Sequence, residues 1–184
     1  MIKPIKPDGE FVGSFIIASP FVVDSEFSRS VILMTNHNHE TKVPGKGYSG
    51  FKINHVTQNK GAPSSGNPSY NGGRISRKVA YLIHTSDIKW DRTKEITSEL
   101  CITNLEKSGI DTNRDIMPEK YIIVYGCCFW APGQLEEQIR NGIWIPSSGD
   151  SDLIFEVPAI SRWYQAYNKI RATPECISMD SARC

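Results

Sequence analysis

Two adjacent carboxylates, Glu136 and Glu137, open the stretch Pro132–Asn141. Leu135 and Ile139 form its apolar stripe, Pro132 suits the first turn and Gly142 can end it, so the stretch predicts a helix. Carboxylates there complement the positive end of the helix dipole. Neighbours on a helix point about 100° apart and cannot work as a facing acid and base. Glu136 stands four residues before Arg140 in the favourable order. That leaves Glu137 to reach another element, with Arg29 the expected cation, and an ion pair outranks catalysis for this residue. Cys127 and Cys128 precede the same helix, whose N-terminus would lower a thiol pKa. Adjacent strand residues face opposite ways, so only one thiol is open to react, and packed thiols outrank a nucleophile. His37 and His39 share one strand face, and His55, His84 or a thiolate could complete a metal site. The spacing of those further ligands is not diagnostic, so no metal ligands and no cofactor are assigned. Ser30 has no His/Asp order around it, Gly47–Gly50 lacks the nucleophile-elbow spacing, and Gly45-Lys46-Gly47 does not meet a phosphate-loop template. No catalytic residue is assigned.

These groups need elements to hold them. The apolar run Ser30–Thr35 predicts a strand buried on both faces. Strands are also expected at Phe11–Ala18, Gly50–Val56, Lys78–His84, Ile96–Thr103, Tyr121–Gly126 and Asp152–Glu156. In Gly50–Val56 the alternation puts Phe51, Ile53 and His55 on one face, Lys52 and Asn54 on the other. Asp24–Ser28 reads as a short helical turn capped by Asp24 or Ser25, and Asn104 as the cap of a helix that stops at Gly109. His37–Gly47 reads as a polar turn, Thr57–Gly73 as a long loop, and 172–184 as a loose tail. Pro158–Ile170 carries Ile160, Trp163, Tyr164, Tyr167 and Ile170 at helical spacing. Strands first and long helices late predict one α+β domain over 1–171, a mixed, mostly antiparallel sheet with two longer C-terminal helices packed on it.

Charge is balanced, 21 Lys and Arg against 20 Asp and Glu in 184 residues. A dedicated nucleic-acid binder usually carries a basic excess. Lys42, Lys46, Lys52, Lys60, Arg74, Arg77 and Lys78 do fall in one third of the chain, where convergence would give a modest phosphate-contacting face. No run approaches the roughly 18 apolar residues of a membrane span. Five cysteines without a C-x-x-C pair fit reduced thiols, so a soluble, cytoplasmic protein is expected.

Four ordered segments resemble the AlgH/YqgE family of bacterial proteins. They are Gly13–Pro20 with Asp24–Val31; His37-Asn38 with Gly50–Asn54; Gly72-Gly73 leading into Val79–His84; and Gly126–Arg140 with Trp144, Asp152–Phe155 and Arg162-Trp163. The last, built on Gly126-x-x-x-Trp130-x-Pro132-Gly133-Gln134-Leu135-Glu136-Glu137, is the most specific. Arg74 stands where the family pattern has proline, Thr57–Tyr70 replaces a segment that resembles a helix in relatives, and Cys127-Cys128 replaces small residues. The resemblance implies an α+β fold in a bacterial cytosol and carries the label of transcriptional regulator, without a reaction. The leading expectation is a binding or adaptor protein for a protein or small-molecule ligand. Its polar groove would lie near Arg29, Asn54, Glu137 and Trp144. The alternatives are a direct, low-specificity nucleic-acid binder and a small-molecule enzyme using Glu137 or Cys127.

Overall fold

The computed structural model describes residues 11–35, 47–57, 68–112 and 115–172. In chain order it contains β1 (Phe15–Ala18), β2 (Val31–Thr35), β3 (Tyr48–Lys52), β4 (Val56–Thr57), β5 (Ser69–Asn71), β6 (Ile75–Thr85), β7 (Lys94–Glu95) and β8 (Leu100–Asn104). Then come α1 (Leu105–Ser108), β9 (Tyr121–Trp130), α2 (Gln134–Arg140), β10 (Trp144–Ser147), α3 (Ser151–Phe155) and α4 (Ala159–Arg171). The sheet runs β10-β1-β2-β3-β9-β6-β8-β7, with β5 beside β9 and β4 beside β5. Its pairs are antiparallel apart from β5 with β9. The architecture is α+β but dominated by the sheet. α4 is the one long helix among the described residues, since α2 spans only Gln134–Arg140.

The apolar run of β2 is buried at every position because both sheet faces are covered. Val31 and Leu33, with Phe15 and Ile17 of β1, enter a core closed by Leu153, Ile154, Ala166 and Ile170 of α3 and α4. Ile32 and Met34, with Ile16 and Ala18, enter a second core closed by Leu135 of α2, Trp130 and Trp144. Each buried Val, Leu, Ile, Phe or Met among them contributes about 1.5–3 kcal/mol by leaving water. α4 is fixed by a buried arginine. Arg162 donates from Nε to the Val157 carbonyl at 2.9 Å, from Nη1 to the Ile53 carbonyl, and from Nη2 to the Tyr70 hydroxyl at 3.2 Å.

Several elements depart from the sequence reading. Asp152–Glu156 is not a strand: Asp150 accepts the Asp152 N–H at 3.1 Å, and Ser151–Phe155 winds into α3 with Leu153 and Ile154 inward. A cap three to four residues upstream of the apolar pair outweighed its strand-like composition. β10 was not foreseen. Its Pro146 is tolerated because, among the described residues, β10 is an edge strand that pairs only with β1. Asp24–Ser28 is the short helical turn expected, closed by the Ser28 N–H on the Asp24 carbonyl at 2.7 Å and capped by the Asp24 side chain, which accepts the Glu26 N–H at 2.7 Å. β9 runs past Gly126 to Trp130, and β6 bulges opposite that glycine: Ile75 pairs with Cys127 and Ala80 with Tyr125. Part of the expected Thr57–Gly73 loop is β5. The expected turn at His37–Gly47 and tail at 172–184 lie almost wholly outside the described residues. α1 is as read, capped by Asn104 and closed by Gly109 at φ 69°.

Candidate functional site

Between β1 and β2 the chain leaves the sheet and crosses its α2-side face as a strap of turns, residues 20–29. The strap's return is anchored by Asn54, which accepts the Val31 N–H at 2.9 Å and donates to the Arg29 carbonyl at 2.8 Å. Arg29 takes a left-handed φ of 52°, a conformation costing on the order of 1 kcal/mol that these bonds offset. Its guanidinium lies 5.7 Å from the centre of the Trp163 ring. Arg29 and Asn54 are thus together, as fixings of the strap. Glu137 is apart from both, exposed on α2. The partly buried Glu136 also leaves Arg140 and hydrogen bonds Tyr48; burial first, then that carboxylate, push the Tyr48 pKa up.

Under the strap opens a cleft of about 760 Å³. Its floor is a fork the sequence reading missed: Gln138 Oε1 accepts the indole N–H of Trp130 at 2.9 Å and of Trp144 at 2.8 Å. The two rings meet edge to face at 6.0 Å, and Phe27 of the strap meets Trp144 the same way at 5.8 Å. Both tryptophans are buried, and a buried indole N–H needs an acceptor. That need, with a glutamine on the inward side of a helix between two tryptophans, was the available signal. Ile143 and Val22 complete the apolar wall, while Phe21 and Val23 stand on the rim, 87% and 92% exposed.

Arg74, Cys127 and Cys128 form the opposite wall. Burial raises the Cys127 thiol to about 11. Burial likewise raises Cys128 to about 12 against the opposing pull of Lys52, and Cys128 donates to the Gly72 carbonyl at 3.4 Å. Both thiols therefore stay protonated at neutral pH, and no thiolate is on hand for the Cys127 chemistry. As the alternation predicts, the two thiols enter different cores.

Behind Arg74 lies a charge cluster. Lys52 sits on the face predicted for it, yet its side chain is wholly buried because the strap covers that face. Its ammonium donates to the Glu26 carbonyl at 3.1 Å, lies 3.8 Å from Glu26 Oε1, and stands 5.2 Å from the Phe27 ring centre. Burial lowers the Lys52 pKa. Arg74 Nε bonds Glu26 Oε2, and Arg77 Nη2 is 3.7 Å from the same oxygen. Gly72, Gly73 and Gly126 make this convergence possible. A Cβ at Gly126, where φ is 73°, would meet the Gly73 and Ile75 carbonyl oxygens at 2.7 and 2.8 Å.

His55 Nε2 lies 3.1 Å from Ser30 Oγ. Ser30 is fully buried, so the pair offers no accessible nucleophile, and burial lowers the His55 pKa with help from Lys52. His84 is satisfied by the Thr85 carbonyl at 2.7 Å and Thr103 Oγ1 at 3.0 Å. Among the described residues no three His, Cys, Asp or Glu side chains are grouped to hold a metal. His37, His39, Lys42, Lys46 and Lys60 lie outside those residues. No described helix is long and apolar enough to cross a membrane.

The AlgH-like (DUF179) family model matches residues 15–175. A UPF0301 protein of Vibrio cholerae is 26% identical over 178 residues, covering 91% of this chain and 95% of its own length. One from Haemophilus influenzae is 28% identical over 176 residues, covering 88% and 90%. Among solved structures, the AlgH protein from Pseudomonas aeruginosa superposes with a TM-score of 0.67 at 23% identity, over 100% of this chain and 98% of that one. A Corynebacterium diphtheriae protein gives 0.62 at 20%, over 88% and 86%. These two share the fold.

Proposed function

This chain belongs to the AlgH-like family, and on that premise we propose that it is a non-enzymatic binding protein that captures a partner in the cleft beneath the strap. The observation that carries the reading is the cleft itself: about 760 Å³, apolar on one wall, with a few convergent polar groups, the form typical of binding sites. Its rim favours a partner larger than a metabolite. Phe21 and Val23 stand almost fully exposed beside it, and apolar surface at the mouth of a cleft is stabilised by what covers it. Trp144, one of the four residues expected from sequence, lines the cleft; Arg29 and Asn54 hold the strap above it; Glu137 lies one position from the Gln138 fork. A regulatory output would pass through the captured partner. Of the four described cations of the basic segment, Lys52 is wholly buried and Arg74 is already paired with Glu26, so nucleic-acid binding ranks second.

The test is nuclease-treated affinity capture from host lysate with quantitative mass spectrometry. Wild type is compared with the double variant Phe21→Ser/Val23→Ser, which alters only exposed side chains. A partner held in stoichiometric amount by wild type and lost by the variant supports the reading. Identical captures from both sink it.

A further inference from the structure

The strap is fastened to the cleft wall by a carboxylate in an imperfect seat. Glu26 faces three cations, Lys52, Arg74 and Arg77, so the cluster keeps a net positive charge even with the strap in place. Glu26 Oε1 is buried and accepts no hydrogen bond, and Lys52 at 3.8 Å is too far to supply one. A buried acceptor left unsatisfied is costly, so this fastening is weaker than its charges suggest. The next residue, Phe27, packs edge to face on Trp144, and the Lys52 and Arg74 cations lie 5.2 and 5.6 Å from its ring centre. An acidic residue followed by an aromatic one is therefore already recognised here, in cis.

We propose that Lys52, Arg74 and Arg77 form an acceptor for the side-chain carboxylate of an acidic–aromatic peptide segment of a partner protein, with Glu26 as its internal stand-in. The inference rests on the cleft being the capture site and names what it captures. The incoming carboxylate exchanges with that of Glu26, and its aromatic neighbour enters the cleft beside Trp144 and Ile143. Lys52 has no exposed side-chain surface, so it can be reached only by a group taking the place of the Glu26 carboxylate. Asp24 and Glu26 beside the seat, with a net charge of only +1 over the chain, disfavour a polyphosphate backbone. A short tether keeps the stand-in at an effective concentration in the roughly millimolar range, so a partner must outcompete it, and neutralising Glu26 opens the seat.

The probe is a fluorescein-labelled octapeptide copying residues 21–28, Phe-Val-Val-Asp-Ser-Glu-Phe-Ser. Its control carries Asn and Gln at the two acidic positions. Fluorescence anisotropy should show the acidic peptide binding Glu26→Gln at least tenfold more tightly than wild type, the affinity falling with salt. Arg74→Ala/Arg77→Ala should abolish binding, and the control peptide should not bind. Equal affinity for wild type and Glu26→Gln, or equal binding of both peptides, would overturn the proposal. Should Glu26→Gln fail to fold, wild type titrated by NMR to a few millimolar peptide decides. Saturable shifts of Arg74 Nε–H and the Trp144 indole, absent with the control peptide, support the proposal; no shift overturns it. Indole shifts with Arg74 unmoved would leave capture in the cleft standing while removing the carboxylate acceptor. Dimerisation of Glu26→Gln with Arg74 shifting before any peptide is added would give the seat to a second copy of this chain and overturn the assignment to a separate partner.

Discussion

Replacing Gln138 by Leu keeps the approximate volume of the side chain and removes the acceptor shared by Trp130 and Trp144. Both indole N–H groups then lose bonds of 2.9 and 2.8 Å beneath rings that are only 4% exposed. An orphaned buried donor costs about 1–3 kcal/mol. Gln138 is half-buried, so water can reach one of the two, and a total loss of about 3 kcal/mol is expected. Gln138→Glu restores an acceptor and should stay within about 1 kcal/mol of wild type. Equilibrium urea unfolding followed by tryptophan fluorescence reads this directly. At ordinary slopes the Leu variant should unfold at a midpoint roughly 1–2 M lower. A Leu variant within about 0.5 kcal/mol of wild type, or a Glu variant as unstable as Leu, would refute the reasoning that the fork holds the cleft floor.

Three other outcomes follow. Glu26→Gln leaves the buried Lys52 ammonium less compensated and should cost about 2 kcal/mol at neutral pH, whereas Glu26→Gln/Lys52→Met should recover most of it. Because the Lys52 pKa is lowered on folding, its penalty is full below the folded pKa and fades as pH rises toward 10.5; the single variant's deficit, measured by urea unfolding, should therefore shrink with rising pH. Cys127 carries the opposite sign: its thiol moves from 9.0 to about 11, so the folded state holds the proton longer. Stability should fall as pH rises above 9, by about 3 kcal/mol from this thiol, with Cys127→Ala flattening the slope and native-state alkylation of Cys127 slow at pH 7. Gly126→Ala must place a Cβ at 2.7 and 2.8 Å from two carbonyl oxygens at φ 73°, and should lower stability by about 3 kcal/mol or more in thermal or urea unfolding.

What was legible in the sequence is what local pattern dictates. The unbroken apolar run of β2 announced burial on both faces, and Asn104 with Gly109 announced α1. Alternation put Lys52 opposite Phe51 and Ile53, but nothing near Lys52 says that residues 20–29 return across that face and seal it. The same holds for Glu26, Arg74 and Arg77, which meet only because β3, β9 and β6 are neighbours and β6 bulges opposite Gly126. Glu137 was singled out on helix charge logic, whereas the side chain that ties the cleft together is the uncharged Gln138 one position on. Charge attracts notice in a sequence; a shared acceptor for two distant indoles becomes visible only once the tryptophans are brought together. Arg29 and Asn54 meet through the Asn54 amide on the Arg29 carbonyl, where, with the left-handed turn at Arg29, they fix the strap.

Capture in the cleft can be tested without knowing what is captured. The protein carries four tryptophans, two in the cleft, Trp130 and Trp144, and two away from its lining, Trp90 and Trp163. Biosynthetic labelling with 5-fluorotryptophan gives each a ¹⁹F signal to follow from buffer into host lysate. The account predicts that the Trp130 and Trp144 signals shift or broaden, that Trp90 and Trp163 hold, and that Phe21→Ser/Val23→Ser abolishes the change. Four unmoved signals, or a change confined to Trp90 or Trp163, would contradict it.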